Sequence, residues 1–217
     1  LAVMCGVFGV VRPGGVSSAN RDAFARLSAQ LEHRGPDGFT ELEQPGVLVG
    51  MHRLSIIDVE HGWPPFWSQD HTVSVLANGE IYNAPELAAH LRASGHTLRS
   101  HSDLEVIPHL YAERGLDYAS QLRGMFAIAL LDARRETLVL TRDRLGEKPL
   151  FYCHSDGAIW FSSEMSALVR AGIVPANINL TELPNYLTFG YVPEPETIVA
   201  GVSRVPAGHH LEIGIST

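Results

Sequence analysis

The sequence predicts an α+β domain in which helices cover packed, mainly antiparallel sheets. Three features predict it. Short runs rich in β-branched and aromatic residues recur along the chain, and several are joined by polar turns short enough for hairpins. The amphipathic stretches fall in blocks between strand pairs. A doubly wound parallel sheet would instead alternate one strand with one helix.

The first strand is read from CGVFGVV (residues 5–11), and the Gly-rich PGGVSS (13–18) turns the chain after it. ANRDAFARLSAQLEHR (19–34) reads as a helix, with Phe24, Leu27 and Leu31 on one face and Asp22 near its positive end. GVLVGMHRLSIID (46–58) and TVSVLANGEIY (72–82) read as strands. A helical block follows in APELAAHLRASG (84–95), DLEVIPHLYAERG (103–115) and YASQLR (118–123). MFAIALLD (125–132) and TLVLTRD (137–143) flank a polar turn, as do LFYCH (150–154) and AIWFSSE (158–164), so two hairpins are expected. EMSALVRAG (164–172) reads as a helix. From Pro184 onward the chain is dense in Pro and Gly and reads as an extended connector.

At 217 residues the chain is long enough for one large domain with a full core, or for two small ones. Its net charge of −8 argues against nucleic acid as a partner, because phosphate binding needs a basic face. No apolar run approaches a membrane span, so no membrane partner is expected. No charged n-region with a long apolar h-region marks a secretory signal. Two cysteines, Cys5 and Cys153, make no disulfide framework and favour a reducing, cytoplasmic setting. The eleven histidines show no metal-ligand spacing, so no metal is expected.

Cys5 raises the chemical question. A thiol titrates at about 8.5 and an α-amine at about 7.7–8.0. A cysteine at the N-terminus therefore carries its own general base and needs no histidine. The bland reading of Cys5 is a small core residue near a terminus. In NGEIYN (78–83), Asn78 offers an amide donor and Gly79 a backbone N–H that a ligand can approach, although Asn-Gly also suits a hairpin turn. Glu80 beside them suits a cation. Arg53 in HRLSIID carries a planar fork that matches a carboxylate. Asp103 in HSDLEV suits an ammonium or an ordinary helix N-cap. A carboxylate clamp, two acids and an amide donor beside a thiol describe a site for a free amino acid with a reactive side-chain carbonyl, and glutamine fits.

In chain order, MCGVFGV, HRGPDG, HRLSIID, NGEIYN, SDLEVI, LRGMFAIALLD, RDRLGEKPLFY and FGYVPEPETI resemble the glutaminase domain of glutamine-dependent asparagine synthetases, class II amidotransferases with an N-terminal nucleophile. The resemblance implies the four-layer αββα sandwich of N-terminal nucleophile hydrolases. It implies Cys5 as a nucleophile forming a glutamyl thioester, with Asn78 and the Gly79 N–H as the oxyanion hole. Arg53 and the main chain of Leu54, Ser55, Ile56 and Ile57 would hold the glutamine α-carboxylate, and Glu80 and Asp103 its α-ammonium. Arg34 and Asp37 of HRGPDG would be supporting residues. RDRLGEKPLFY would lie near the ammonia exit, or form a surface ion-pair network. No cofactor is implied for this chain, since ATP and Mg would serve a synthetase domain whose SGGxDS phosphate loop is absent here. A synthetase domain or subunit, and a homodimer, are the implied partners.

The implied layout is an extension over 1–4, a glutaminase domain over 5–183 and a connector over 184–217. Met4 is expected to be the true start, its removal exposing Cys5. Two departures stand out: HGWPPFWSQD, with Trp63, Pro65 and Trp67, replaces a GHQPM-like segment, and Glu147 replaces an apolar residue. They leave room for an acceptor other than aspartate. The competing readings are a non-catalytic docking domain with a blocked N-terminus and an amidase for a different amide. Joint presence of Cys5, Arg53, Asn78, Gly79, Glu80 and Asp103 favours the glutaminase.

Overall fold

The computed structural model describes residues 4–216. The expected extension at Leu1–Val3 and the final Thr217 lie outside the described residues. In chain order the elements are β1 (Gly6–Val11), α1 (Ser18–Ala29), β2 (Gly38–Gln44), β3 (Val47–Arg53), β4 (Phe66–Trp67), β5 (Val73–Ile81), α2 (Ala84–Ala93) and α3 (Val106–Arg114). Then come α4 (Tyr118–Gln121), β6 (Gly124–Asp132), β7 (Thr137–Arg142), β8 (Phe151–Ser155), β9 (Ala158–Ser162), α5 (Met165–Arg170), α6 (Leu183–Phe189), β10 (Val202–Arg204) and β11 (His210–Gly214).

The strands form two sheets, ordered β10-β8-β9-β1-β3-β2 and β11-β7-β6-β5-β4. Every strand pairing is antiparallel. Strand side chains alternate between faces, and the alternation builds three cores. Val7, Val11, Val47, Val49 and Met51 of the first sheet meet Leu76, Ala127, Ala129, Leu138 and Leu140 of the second. The opposite faces pack on helices. Phe8, Val10 and Leu48 lie under Phe24 and Leu27 of α1 and Leu168 of α5. Val75, Ala77, Ile128 and Leu130 lie under Leu91, Ile107 and Leu110 of α2 and α3. The result is the expected helix–sheet–sheet–helix sandwich.

The predicted helix 19–34 is helical to Ala29 and ends in a separate 3₁₀ turn at Glu32–Arg34. Its N-cap is Ser17, whose hydroxyl accepts the Asn20 N–H while the Asn20 side chain returns a bond to Ser17. Leu27 is fully buried. Tyr118 ties the helical block to the second sheet: it is fully buried and its hydroxyl donates to Thr141 Oγ1 at 2.7 Å.

The tail corrects the expected connector. Within 184–217, α6 forms, β10 pairs with β8, and β11 pairs with β7 over five residues. This segment supplies an edge strand to each sheet and belongs to the sandwich. Its Pro and Gly residues mark the turns between short pieces, and short edge strands give little periodic signal. β2 was also unread. Its burial alternates, but TELEQ carries only one apolar residue.

Candidate functional site

The cleft opens between the two sheets where β1 and β3 approach β5, with Cys5, Arg53, Leu54, Ile56, Ile57, Asn78, Gly79, Glu80 and Asp103 in its wall. Ser55 lies just outside that wall. Its N–H donates to Asp37 Oδ2 at 2.7 Å, which fixes the turn after β3.

Cys5 directly precedes β1. Its Sγ accepts the Leu54 N–H at 3.3 Å and the thiol faces the Leu54 carbonyl at 3.5 Å. Burial pushes the thiol pKa up, while the Leu54 N–H and the charges of Arg53 and Arg34 pull it back. Arg34 holds the backbone of the same residue: its Nε donates to the Cys5 carbonyl at 3.0 Å and its Nη1 to Glu164 at 2.9 Å. The HRGPDG segment thus braces Cys5 from both sides, with Arg34 on Cys5 itself and Asp37 on the Leu54–Ser55 turn. Cys153 is the contrast: it is buried in β8 and burial pushes its thiol up to about 12, so it is a core residue.

Asn78 and Gly79 do not form a turn. β5 continues straight through them to Ile81, paired with β6. Asn78 shares the face of Leu76, toward the first sheet and Cys5. It is 2% exposed and its Nδ2 has no hydrogen-bond partner among the described residues. A buried amide donor without a partner is costly, and this one is free to meet a group that enters the cleft.

The packing of β6 also requires glycine at position 79. A Cβ there would collide with the Met125 carbonyl and lie 2.7 Å from Phe126 Cα on β6. Its N–H is nevertheless directed at the cleft. Phe126, the register partner of Gly79, uses its own N–H and carbonyl on Asp143, on its far side. The pair therefore does not exchange bonds, and the Gly79 N–H leaves on the open edge of β5. Ile81, two residues on, points its N–H the same way and donates to Asp103 Oδ2 at 2.7 Å.

Asp103 is not the helix cap. Ser102 caps the turn by accepting the Leu104 N–H, and the Asp103 carboxylate is left to face the cleft. Burial raises the Asp103 pKa, and Glu80 adds to the rise. Glu80 is exposed at the cleft mouth.

Arg53 is 4% exposed. Its Nη2 donates to the carbonyls of Ile57 and Asp58, at 3.2 and 3.0 Å, and its Nη1 to that of Val59 at 3.3 Å. Its guanidinium carbon lies 4.4 Å from the Trp63 ring centroid. Sequence reasoning noticed Trp63 only as a departure and gave it no role. It also passed over Lys148, a buried cleft residue whose Nζ lies 2.9 Å from Met4 Sδ. Only the KPL triplet hinted at it. The RDRLGEKPLFY segment is not a surface ion-pair network, since Arg142, Asp143 and Lys148 are all buried. Glu147 is exposed. Among the described residues no group of three or more His, Cys, Asp or Glu side chains is arranged to hold a metal ion, and no helix is long and apolar enough to cross a membrane.

The sequence profile of the glutamine amidotransferase domain matches residues 4–216. The chain belongs to that family. This amidotransferase domain is 36% identical over 212 residues to asparagine synthetase [glutamine-hydrolyzing] 1 of Bacillus subtilis, covering 97% of this chain and 33% of that protein. It is 43% identical over 166 residues to an asparagine synthetase [glutamine-hydrolyzing] of Zea mays, covering 76% of this chain and 28% of the relative. The domain thus spans about a third of the length of these relatives. Among solved structures, an allosteric regulatory enzyme of purine biosynthesis superposes with a TM-score of 0.69 at 20% identity, covering 97% of this chain and 47% of that one. The glutamine phosphoribosylpyrophosphate amidotransferase of Bacillus subtilis gives 0.62 at 21% identity, covering 77% and 44%. The amidotransferase domain shares the fold of both.

Proposed function

We propose that the amidotransferase domain is a glutaminase that works through Cys5 and supplies ammonia to a further, synthetase-type domain. The observation that carries the proposal is the pair of donors in the same cleft as the thiol: the buried, unpartnered Asn78 Nδ2 and the Gly79 N–H on the β5 edge away from β6.

Each group has a chemical task. With residue 4 removed, the Cys5 α-amine takes the thiol proton and Sγ attacks the side-chain carbonyl of glutamine. Asn78 and the Gly79 N–H stabilise the oxyanion. The amine returns the proton to the departing nitrogen, ammonia leaves, and a glutamyl thioester remains. Water, activated by the same amine, releases glutamate. Arg53, with the main chain of residues 54–57, takes the α-carboxylate, and Glu80 and Asp103 take the α-ammonium. With residue 4 attached, the amine is a non-basic amide and the Met4 side chain stands in the cleft wall. A chain that keeps it would be silent, which is the docking-domain reading.

The relatives named asparagine synthetases favour an acceptor carboxylate that is amidated with ATP and Mg on the further domain, aspartate being the first choice. The test is glutamate release from glutamine by a chain shown by intact mass to start at Cys5. Release that disappears in Cys5→Ala supports the reading. No release from a free Cys5, with or without a synthetase domain, overturns it.

A further inference from the structure

We propose that Trp63 is a positioning residue for the substrate α-carboxylate, its indole face setting the tilt of the Arg53 guanidinium. This rests on the glutaminase reading above. Arg53 ends β3 directly opposite Gly38, the first residue of β2. The Trp63 ring covers both members of this cross-strand pair. The guanidinium carbon is 4.4 Å from the ring centroid, well inside the ~6 Å range of a cation–π contact. The ring also lies against Gly38, where a Cβ would come within 2.7 Å of Trp63 Cη2.

The donor count explains why tilt matters. A guanidinium has five N–H donors in one plane. Both protons of Nη2 and one of Nη1 are already used on the carbonyls of Ile57, Asp58 and Val59. Both two-donor edges of the guanidinium, Nε–Nη2 and Nη1–Nη2, use an Nη2 proton, so a carboxylate that engages both oxygens displaces a loop carbonyl. That two-oxygen contact requires the guanidinium plane to coincide with that of the anion. In-plane hydrogen bonds fix the edges of the fork, while only a stacked group restrains rotation out of the plane.

Trp63 and the carbonyls are carried by one laced segment. The Gly62 N–H donates to the Asp58 carbonyl and the Trp63 N–H to that of His61, each at 2.9 Å. The Asp58 carboxylate accepts the His61 N–H at 3.2 Å and the His101 N–H at 2.8 Å. Trp63 is 40% exposed and is not part of the cleft wall, so it acts through Arg53 and not on the substrate.

The test is calorimetric binding of L-glutamine to the full chain carrying Cys5→Ala, so that affinity is read without turnover. Trp63→Leu is expected to weaken binding about 5- to 10-fold, and Trp63→Phe, which keeps a π face, by less than about 3-fold. Gly38→Ala, which pushes the ring away and leaves Trp63 in place, is expected to weaken it like Trp63→Leu. Glutamine α-amide, which lacks the carboxylate, is expected to bind the parent and Trp63→Leu alike. Equal glutamine affinity in parent, Trp63→Leu and Gly38→Ala overturns the proposal. So does an equal loss for both ligands, or failure of Trp63→Phe to rescue, since either would mean general packing. If the Cys5→Ala parent binds no glutamine and the unsubstituted chain releases no glutamate, the glutaminase reading itself has failed.

Discussion

Two loops in this molecule wrap a buried arginine in backbone carbonyls, and only one of them completes the charge. Arg142 at the end of β7 donates to the carbonyls of Lys148, Val205 and Gly146, at 2.9, 2.9 and 2.6 Å, and its Nη1 also pairs with the Glu194 carboxylate. Arg53 at the end of β3 has the same wrapping from residues 57–59, but among the described residues it has an aromatic face where Arg142 has a carboxylate. A buried cation with neutral partners keeps much of its desolvation cost. An arginine closed on Glu194 acts as a structural brace, and one left open toward a cleft is suited to the proposed role of binding an anion that arrives later. The same contrast separates the carboxylates. Burial works to raise Glu194, yet hydrogen bonds from Arg142 and the Ala207 N–H hold its pKa below the usual range. Burial leaves Asp103 above it, with Glu80 beside it.

The sharpest way to break this comparison is to remove each arginine. Arg53→Met is expected to raise the glutamine KM by roughly 100-fold, the scale of losing one partner of a buried charge pair, with a smaller loss of stability than Arg142→Met. Arg142→Met should cost roughly 3–5 kcal/mol in urea unfolding, because Glu194 and three carbonyls lose their partner. If the two variants lose stability and affinity in the same proportion, the distinction between brace and binding group fails.

The proposed oxyanion donor comes next. Asn78→Ala is expected to lower kcat of glutamate release about 10²- to 10³-fold with little change in KM. It should leave unfolding almost unchanged, because the donor it removes has no partner in the ligand-free protein. A large loss of stability with kcat intact would make Asn78 a packing residue.

The carboxylates are separable by pH. Asp103 must be ionised to hold an ammonium, and its pKa is raised by burial. The glutamine KM should therefore rise on acidification while still above the ordinary aspartate range of about 4, and Asp103→Asn should flatten that limb. In stability the signs oppose. A raised carboxyl contributes most below its unfolded pKa and loses that contribution as pH rises through the folded value. The lowered Glu194 contributes above its unfolded pKa and loses its part as pH falls through the folded value. Acid unfolding of Glu194→Gln should therefore lose part of the parent's pH dependence.

The smallest effect concerns the two thiols. Cys153→Ala should leave glutamate release within about twofold and cost about 1 kcal/mol of stability, as for a small buried apolar group. Iodoacetamide should label Cys5 well before Cys153 in the folded chain. Preferential labelling of Cys153 would contradict its buried place in β8.

Much of the site was legible because residue type and chemistry coincide there. Cys5, Arg53, Asn78, Gly79, Glu80 and Asp103 each carry a distinctive donor, acceptor or charge, and the structure brings them to one cleft. The nearby reasons were less visible. Asn78–Gly79 carries the local signal of a turn, and only pairing with β6 keeps it a strand. Asp103 carries the signal of a cap, and Ser102 took that task. Trp63 acts by facing a residue ten positions away, which no local pattern encodes.

The sequence alone determined the central strands, the helical blocks between them and the inventory of reactive groups, because alternation, helical spacing and side-chain chemistry are local properties of the chain. Only the tertiary structure decided that the Pro- and Gly-rich tail closes both sheets, that Arg142 is closed by Glu194, and that Arg53 remains open beneath Trp63. Those outcomes depend on which distant residue arrives within a few ångströms, and packing decides that.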